Sequence, residues 1–249
     1  MSSRGVSVIP LEGLPELEPE DDLGLLLHSA TTRAGGLEDG DVVVVAQKAV
    51  SKAEGRIVAL AEVEPSERAV ELAGPDGDPR HVEVILRESA EVVRARPPLV
   101  IAETRHGFVC ASAGVDASNA PGDGILVLLP LDPDASARRI RERLVELGGV
   151  DVGVIVSDSF GRAWRQGTTD VALGVAGLAP LRDLRGTTDA RGRELRTTQI
   201  AVADELAGAA ELVMGKASGI PAAIVRGVDA RGDGSAAELV MPRERDLFR

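Results

Sequence analysis

Two short runs of small apolar residues constrain the fold of this chain more than any other feature. The first, "DVVVVA", spans residues 41–46, and the second, "DVGVIV", spans residues 151–156. Neither run alternates with polar residues, which is typical of a strand that is buried on both of its faces. The sequence therefore predicts two buried strands that lie far apart along the chain.

Segments with strand and helix patterns lie on both sides of these runs. Apolar residues at helical spacing predict helices within residues 22–34, 66–96 (two stretches), 132–149 and 199–214. Further strands are expected at residues 5–10, 98–130 (three segments) and 219–228. Because this order does not follow regular strand–helix–strand units, we expect an α+β or mixed α/β fold. The 249 residues are enough for one large domain or two small ones.

The helix expected at residues 132–149 has recognisable ends. Asp134 or Ser136 is a suitable N-cap, and Gly148 is a suitable end point. Ile140, Leu144 and Leu147 share one face between these positions.

The composition limits the classes of protein to which the chain can belong. The formal net charge is −12, which argues against nucleic acid, because phosphate backbones normally meet a basic face. The single cysteine excludes an intramolecular disulfide and fits a reducing compartment. The N-terminal segment turns acidic too early for a signal peptide, and no apolar run reaches the about 18 residues of a membrane span. We therefore expect a cytoplasmic protein with no membrane partner.

The stretch "SDSFGRAWRQG", residues 157–167, follows the second apolar run and carries several reactive side chains. Asp158 and Ser159 offer the carboxylate and hydroxyl oxygens that Mg²⁺ and Mn²⁺ prefer. Arg162 and Arg165 are three residues apart, so a helical turn places both guanidiniums on one face, where they suit a phosphate or carboxylate. The alternative for all four residues is a network of surface ion pairs.

Two further segments admit both a plain and a functional interpretation. Asp116 and Asn119 in "AGVDASN" form either a simple Asx-turn or a metal-binding carboxylate beside an amide. Lys48 and Lys52 in "QKAVSK" belong either to a solvated helix start or to a pair that faces phosphate. By contrast, the scattered histidines have no metal-ligand spacing, and Cys110 is expected to be a buried, inert thiol.

Several blocks of the sequence resemble one family in their order and spacing. They are "GLPEL", "DGDVVVVAQKAVSKAEGR", "AGVDASN", "SDSFGRAWRQG", "GRELRTTQIAVADELAGAAELVMGK" and "IPAAIVRG". Together they resemble the coenzyme F420-0:L-glutamate ligases over roughly residues 6–228. The chain is also similar to the N-terminal half of two-domain members, and we expect no counterpart of their nitroreductase-like second half.

The resemblance implies an activity and a set of partners. Family members use GTP to join L-glutamate to F420-0 and then add further γ-linked glutamates. They need Mn²⁺ or Mg²⁺, with two ions expected, and K⁺ assists. Their fold is mixed α/β with several sheets and flanking helices, and they form homodimers with the site near the dimer cleft. For this chain the resemblance implies a single ligase domain over residues 1–249, with two intertwined subdomains as the alternative arrangement.

The resemblance also assigns residues by position. Asp116, Asp158 and Ser159 match metal-binding positions, and the first two, with Arg162 and Arg165, are the candidate catalytic residues. The positions that match GTP-binding ones are Leu14, Pro15, Glu16, Leu17, Gln47, Lys48, Lys52, Asn119, Met214, Gly215, Lys216, Ala217, Ser218, Gly219 and Ile220.

Three positions depart from the family pattern. Ser159 replaces the usual Thr but keeps the hydroxyl, and Gln47 stands where Ser is common. Lys216 stands in a loop that carries a metal-binding acid in archaeal members and is one residue short here, so the resemblance leaves that metal ligand unassigned. "MGKASG" is no P-loop, since Ala217 follows its lysine.

We therefore predict a GTP-dependent F420-0:glutamate ligase that works through an acyl phosphate. Two alternatives remain open at this point. One is a nucleotide-dependent ligase that activates a different carboxylate on the same scaffold, and the other is a non-catalytic nucleotide-binding protein.

Overall fold

The computed structural model describes residues 5–248. In chain order its strands are β1 (Ser7–Pro10), β2 (Val42–Ala46), β3 (Ile57–Ala59), β4 (Ser89–Arg96), β5 (Leu99–Thr104), β6 (Val109–Ala111), β7 (Ile125–Val127), β8 (Gly153–Arg162), β9 (Arg165–Ala176), β10 (Leu181–Asp183), β11 (Gln199–Ala201) and β12 (Ala222–Arg226). The α-helices are α1 (Leu23–Arg33), α2 (Gln47–Ala53), α3 (Glu67–Ala73), α4 (Pro79–Glu88), α5 (Pro133–Gly148) and α6 (Val202–Met214).

A five-stranded mixed sheet in the order β1-β12-β2-β8-β9 forms the centre of the protein. Only β2 and β8 run parallel within it, and the other neighbouring strands are antiparallel. Smaller sheets form from β4-β5-β6, β3-β7 and β10-β11. The expected mixed α/β fold with several sheets and flanking helices is confirmed.

Both faces of the central sheet are covered, which explains the unbroken apolar runs of β2 and β8. Val43 and Val154 face a core that α1, α2 and α5 complete. Val44 and Ile155 face the opposite core, which α6 covers. Since alternate side chains of a strand point to opposite faces, each position in the two runs has to be apolar.

The N-cap of helix α5 lies two residues before the nearer of the two expected positions. The Asp132 side chain caps it by accepting a 2.8 Å hydrogen bond from the Ala135 N–H, so the expectation of Asp134 or Ser136 is wrong. The Asp134 carboxylate instead accepts from the Val175 N–H at 2.7 Å and from the Ser235 Oγ at 2.6 Å. It ties the helix to β9 and to the C-terminal segment.

A second, smaller core lies beside the central sheet. It forms between α3, α4, β5, β7 and their connecting segments, with Leu126 and Val100 fully buried. The two helices expected within residues 66–96 are present, but the chain turns into β4 at Ser89. Bulges interrupt the pairing of β4 with β5, which helps to explain why its sequence lacks a regular alternation.

The segment around the single tryptophan is a β-hairpin and not a helical turn. Strand β8 continues past its apolar part to Arg162, and β9 starts at Arg165, directly opposite Arg162. The expectation that a helical turn aligns the two arginines is therefore wrong. They are neighbours because strand pairing places them opposite each other.

Among residues 5–248, no helix has both the length and the apolar composition that crossing a membrane requires.

Candidate functional site

The site lies where the parallel strands β2 and β8 end their buried parts. Ala46 of β2 is level with Ser157 of β8, so the residues that follow each of them emerge at the same edge of the sheet. Lys48 on α2 and Asp158 on β8 thereby meet at one cavity of about 720 Å³. Carboxyl ends of parallel strands are a common place for ligand sites in α/β proteins.

Most residues expected at the site line this cavity. They are Pro15, Glu16, Leu17, Gln47, Lys48, Lys52, Asn119, Asp158, Ser159, Met214, Gly215, Lys216, Ala217, Gly219 and Ile220. The others lie outside its lining: Leu14, Asp116, Arg162, Arg165 and Ser218. Leu14 packs against the core, and the Ser218 Oγ donates a hydrogen bond to the Met214 carbonyl.

The lysines of the protein are concentrated at this one place. The chain contains three lysines, and all three line the cavity, whereas its other basic side chains are arginines spread over the whole molecule. A lysine ammonium is a compact charge with three donors that suits phosphate oxygens. The cavity therefore gathers the ammonium groups that phosphate oxygens could use, beside the acidic side chains of Glu16, Glu18, Asp158, Asp170 and Glu211.

Asp116 is held against the cavity wall by Lys48. The Lys48 Nζ lies 2.6 Å from the Asp116 Oδ2, and the Ser118 N–H and Oγ donate to the same carboxylate at 2.7 and 2.9 Å. Burial raises the pKa of Asp116, but these hydrogen bonds outweigh it, so the pKa lies below its ordinary value. The Asx-turn interpretation is confirmed, and the turn presents an ionised carboxylate.

Asp158 has the opposite electrostatic environment. Burial is the main reason why its pKa rises to about 6, and the charges of Asp170 and Asp116 raise it too. The backbone N–H of Ser159 and the charge of Lys48 act against this shift. No salt bridge among residues 5–248 reaches Asp158, so its negative charge lacks a direct counter-ion.

Asp170 is the acidic residue that sequence reasoning missed. It lies on β9, is only 4 % exposed, and accepts hydrogen bonds from Ser157 Oγ at 2.9 Å and Ser159 Oγ at 2.7 Å. The hairpin pairing places it opposite Ser159. The hairpin alone would not have revealed it, because a register shift between Gly161 and Arg162 moves the pairing, whereas a plain two-residue turn would place Thr168 opposite Ser159.

The far wall of the cavity is formed by the C-terminal end of α6 and the loop after it. Glu211, also missed, has a pKa raised by burial and by the charge of Asp170, while Lys216 lowers it. The Asn119 side-chain amide donates to the Lys216 carbonyl at 3.3 Å and so joins this loop to the Asp116 turn. The segments around Asn119 and Lys216 therefore meet as expected.

The N-terminal wall is fixed by two polar residues. Lys52 is buried and forms a salt bridge with Glu16 across this wall. Each of these two charges therefore already has a partner within the protein. The Gln47 amide nitrogen donates to the Ser51 Oγ at 2.6 Å and the Leu128 carbonyl at 2.8 Å. Gln47 thus supports the start of α2, and its expected contact with a nucleotide stays a prediction.

The profile for F420-0:gamma-glutamyl ligase matches residues 13–227, which is most of the chain. The chain belongs to this family.

Curated relatives in the F420-0:gamma-glutamyl ligase family align along nearly their whole length. A coenzyme F420:L-glutamate ligase of Methanothermobacter thermautotrophicus is 49 % identical, over 98 % of this chain and 99 % of that protein. Proteins with the same name from Methanopyrus kandleri and Archaeoglobus fulgidus are 48 % and 46 % identical, each over 98 % of this chain and 97 % or 96 % of the relative. The family resemblance drawn from the sequence motifs is confirmed.

The donor set at β8 fits the divalent cation that the family resemblance implies. Within the described part of the chain, no three His, Cys, Asp or Glu side chains form a ready-made metal cage. Mg²⁺ does not need one, because it commonly binds one or two carboxylates and takes its other ligands from water and phosphate. Among the described residues, neither Asp158 nor Asp170 forms a salt bridge, so each can offer its carboxylate to a cation. Ser159 follows Asp158 in the sequence and donates a hydrogen bond to Asp170, so its hydroxyl lies at the same place.

Proposed function

We propose that this chain is a GTP-dependent ligase that joins L-glutamate to coenzyme F420-0 and then adds further γ-linked glutamates. The observation that carries the proposal is the cavity in which all three lysines line the same space as Asp158, Asp170 and Glu211. This combination suits a triphosphate and a cation, and the chain belongs to a family whose curated members are named F420:L-glutamate ligases.

The reaction has to convert a carboxylate into an acyl donor. In the proposed first step, a carboxylate oxygen of F420-0 attacks the γ-phosphorus of GTP, and the bond to the β–γ bridging oxygen breaks to release GDP. In the second step, the glutamate amine attacks the acyl carbon, phosphate leaves with the bonding electron pair, and the amine loses a proton. An enzyme for this sequence mainly has to position reactants and stabilise charge.

The basic and acidic residues of the cavity divide these tasks by their chemistry. Lys48, Lys52 and Lys216 offer positive charge to phosphate oxygens. Asp158 and Ser159, supported by Asp116 and Asp170, would hold a divalent cation, which screens phosphate charge when bound. Asp116 also fixes Lys48 through their 2.6 Å contact, so that this ammonium keeps one position.

Product masses test the proposal directly. The protein is incubated with F420-0, GTP, L-glutamate and Mn²⁺, and the expected product is heavier by one or more glutamyl units, with one GDP released for each. Parallel reactions that contain ATP, or a chelator in place of Mn²⁺, are expected to give little product. Nucleotide hydrolysis that depends on a different carboxylic acid, with none on F420-0, would favour the alternative ligase.

Lysine labelling tests the nucleotide site independently of turnover. Because every lysine of the chain lines the cavity, an amine-selective acetylating reagent reports on this site and on the N-terminus alone. We expect GTP with Mg²⁺ to protect Lys48 and Lys216, and not the N-terminal amine, from acetylation. Equal labelling of these lysines with and without nucleotide would contradict binding here.

We also propose a homodimer, dependence on two divalent cations, and assistance by K⁺, as the family resemblance implies. Light scattering at micromolar concentration measures the mass, and a monomer would contradict the first proposal. Titration of the apo-protein with Mn²⁺ in the presence of GDP measures the metal stoichiometry. Ligation rates measured with K⁺ replaced by Na⁺ test whether K⁺ assists.

A further inference from the structure

The end of the β8–β9 hairpin is an unusual surface for this protein. Residues 161–168, which we call the hairpin tip, are all exposed, while the lower part of the same hairpin is buried in the central sheet. The tip therefore projects from the edge of the sheet. Its sequence combines one aromatic ring with two arginines, so its chemistry differs from that of a simple polar turn.

Trp164 has no role in the cores that stabilise the fold. Its side chain is 84 % exposed, and its φ is +56°, a conformation that costs energy for a bulky residue. Among the described residues its ring contacts only that of Phe248, at 4.7 Å between centroids and a tilt of 46°. Phe248 is itself 65 % exposed, so the pair forms an open aromatic surface and not a buried cluster.

The charge of the hairpin tip is opposite to that of the whole chain. Residues 159–169 contain Arg162 and Arg165 and no acidic residue, in a protein of net charge −12. The two arginines are cross-strand partners. Among the described residues neither guanidinium takes part in a salt bridge, and Arg162 makes only a 3.3 Å hydrogen bond to the Gln166 carbonyl. Both remain available to an anion beside the indole ring.

The hairpin connects this surface to the candidate site. Ser159 and Asp170, which form a pair at the base of the exposed part, both line the cavity. A strand advances about 3.3 Å per residue, so Arg162 lies roughly 10 Å along the strand from Ser159. A ligand with its reactive end in the cavity and a long, ring-bearing body can therefore extend along the hairpin.

We propose that the hairpin tip binds the ring end of the F420-0 substrate, with Trp164 stacked on its planar deazaflavin ring. Arg162 and Arg165 face the anionic groups of the substrate, and its carboxylate reaches the cavity near Asp158. Phe248 supports the second side of the indole. This inference rests on the proposed ligase function, and it adds a binding site outside the cavity.

Kinetics of single variants test the assignment. Trp164→Ala is expected to raise the KM for F420-0 about tenfold, the scale of a lost aromatic stacking contact, and to leave the KM for GTP unchanged. Trp164→Phe keeps a ring and is expected to recover most of the loss. Val70→Ala serves as the control, because Val70 is an exposed apolar side chain on α3 and outside the cavity lining.

Fluorescence gives a measurement that needs no turnover. Trp164 is the only tryptophan, and the chain has no tyrosine, so the emission of the protein comes from the hairpin tip. We expect F420-0 to quench this emission and to shield Trp164 from further quenching by acrylamide, whereas GTP alone should leave the emission unchanged. In Arg162→Ala and Arg165→Ala, protection should require about tenfold more F420-0.

The outcomes separate this inference from the proposed function. Normal product formation with an unchanged KM for F420-0 in Trp164→Ala overturns the inference and leaves the ligase intact. Protection of Trp164 by F420-0 in a protein that forms no product supports the site and contradicts the ligase. A Trp164→Ala protein that changes only its mass in light scattering shows that the tip contacts a second copy, which also overturns the inference.

Discussion

Ser159 on β8 and Asp170 on β9 are direct partners across the hairpin, and the Ser159 Oγ donates a 2.7 Å hydrogen bond to the Asp170 Oδ1. The Ser157 Oγ donates to the other oxygen of the same carboxylate. One buried acid thus orients two hydroxyls at the floor of the cavity. The charge of Asp170 also raises the pKa of Asp158 and of Glu211, so the acids on two walls of the cavity are coupled electrostatically through it.

This relationship makes Asp170→Asn an informative variant. The amide keeps the shape of the side chain but removes its charge and one of its two acceptors. We expect turnover to fall about 10- to 100-fold, the range found when a group that orients a metal ligand is lost. Steady-state rates over a Mn²⁺ titration measure this effect. Asp233→Asn, at an exposed acid outside the cavity lining, is the control, and equal rates in both variants would show that Asp170 only supports the fold.

Substitution of the two acids identified from the sequence should reduce turnover more strongly. Asp158→Asn and Asp116→Asn keep side-chain size and lose a negative charge at the cavity. We expect turnover to be abolished while the circular dichroism spectrum stays unchanged, because neither side chain lies in a hydrophobic core. Near-normal ligation at saturating Mn²⁺ in either variant would remove that residue from the set of metal ligands.

The buried strands were predictable because their pattern needs no knowledge of partners. An unbroken apolar run such as residues 42–45 is explained by burial on both faces, which sequence alone can indicate. The meeting of Lys48 with Asp158 follows from a parallel pairing that the sequence did not specify. It became an expectation only through the family resemblance, which carries information about tertiary structure.

The hairpin shows where local reasoning fails. Arg162 and Arg165 lie three positions apart, which fits one face of a helix as well as the ends of a two-residue turn. Glycine and tryptophan beside them favour neither structure strongly. The wrong assignment also hid Asp170, because its position opposite Ser159 depends both on the hairpin and on the register shift between Gly161 and Arg162, which the sequence does not indicate. The N-cap of α5 was missed for a related reason. The Asp134 carboxylate accepts hydrogen bonds from Val175 and Ser235, which lie far away in the sequence, and therefore does not cap the helix.

The ends of β2 and β12 are joined by an ion pair whose loss should destabilise the protein. Asp41 is 1 % exposed, and Arg226 binds it with two hydrogen bonds of 2.9 and 2.7 Å. Arg226→Met leaves this buried carboxylate without its partner, and we expect the free energy of unfolding to drop by about 3–5 kcal/mol. Urea denaturation measures it. The control is Arg68→Met, because the exposed Arg68–Glu71 pair should contribute less than about 1 kcal/mol.

Cys110 should be unreactive in the folded protein, as its sequence context indicated. Burial, and secondly the charge of Asp158, raise the pKa of its thiol from 9.0 to about 12. The thiol therefore stays protonated at pH 8, and iodoacetamide should label it only after unfolding. The folded state holds this proton more tightly than the unfolded state. Its contribution to stability is accordingly complete below pH 9.0 and is lost as the pH rises towards about 12. Rapid labelling of the native protein at pH 8 would contradict this assignment.

Lys216 provides the sharpest test of the loop after α6. Its side chain is exposed at the cavity, and its charge lowers the pKa of Glu211. We expect Lys216→Ala to weaken GTP binding by about 1–3 kcal/mol, the scale of a charge-assisted hydrogen bond. Lys216→Arg keeps the charge and should lose less.

The opposite change at the same position addresses the metal. An ammonium has no lone pair with which to bind a cation, whereas a carboxylate does. We therefore expect Lys216→Glu to raise the Mn²⁺ stoichiometry by one or to steepen the dependence of the rate on Mn²⁺. Calorimetry of GTP binding at fixed Mn²⁺, and of Mn²⁺ binding at fixed GDP, measures both effects. An unchanged GTP affinity in Lys216→Ala would mean that the side chain points to solvent when nucleotide is bound, and the assignment of residues 214–220 as a nucleotide loop would then fail.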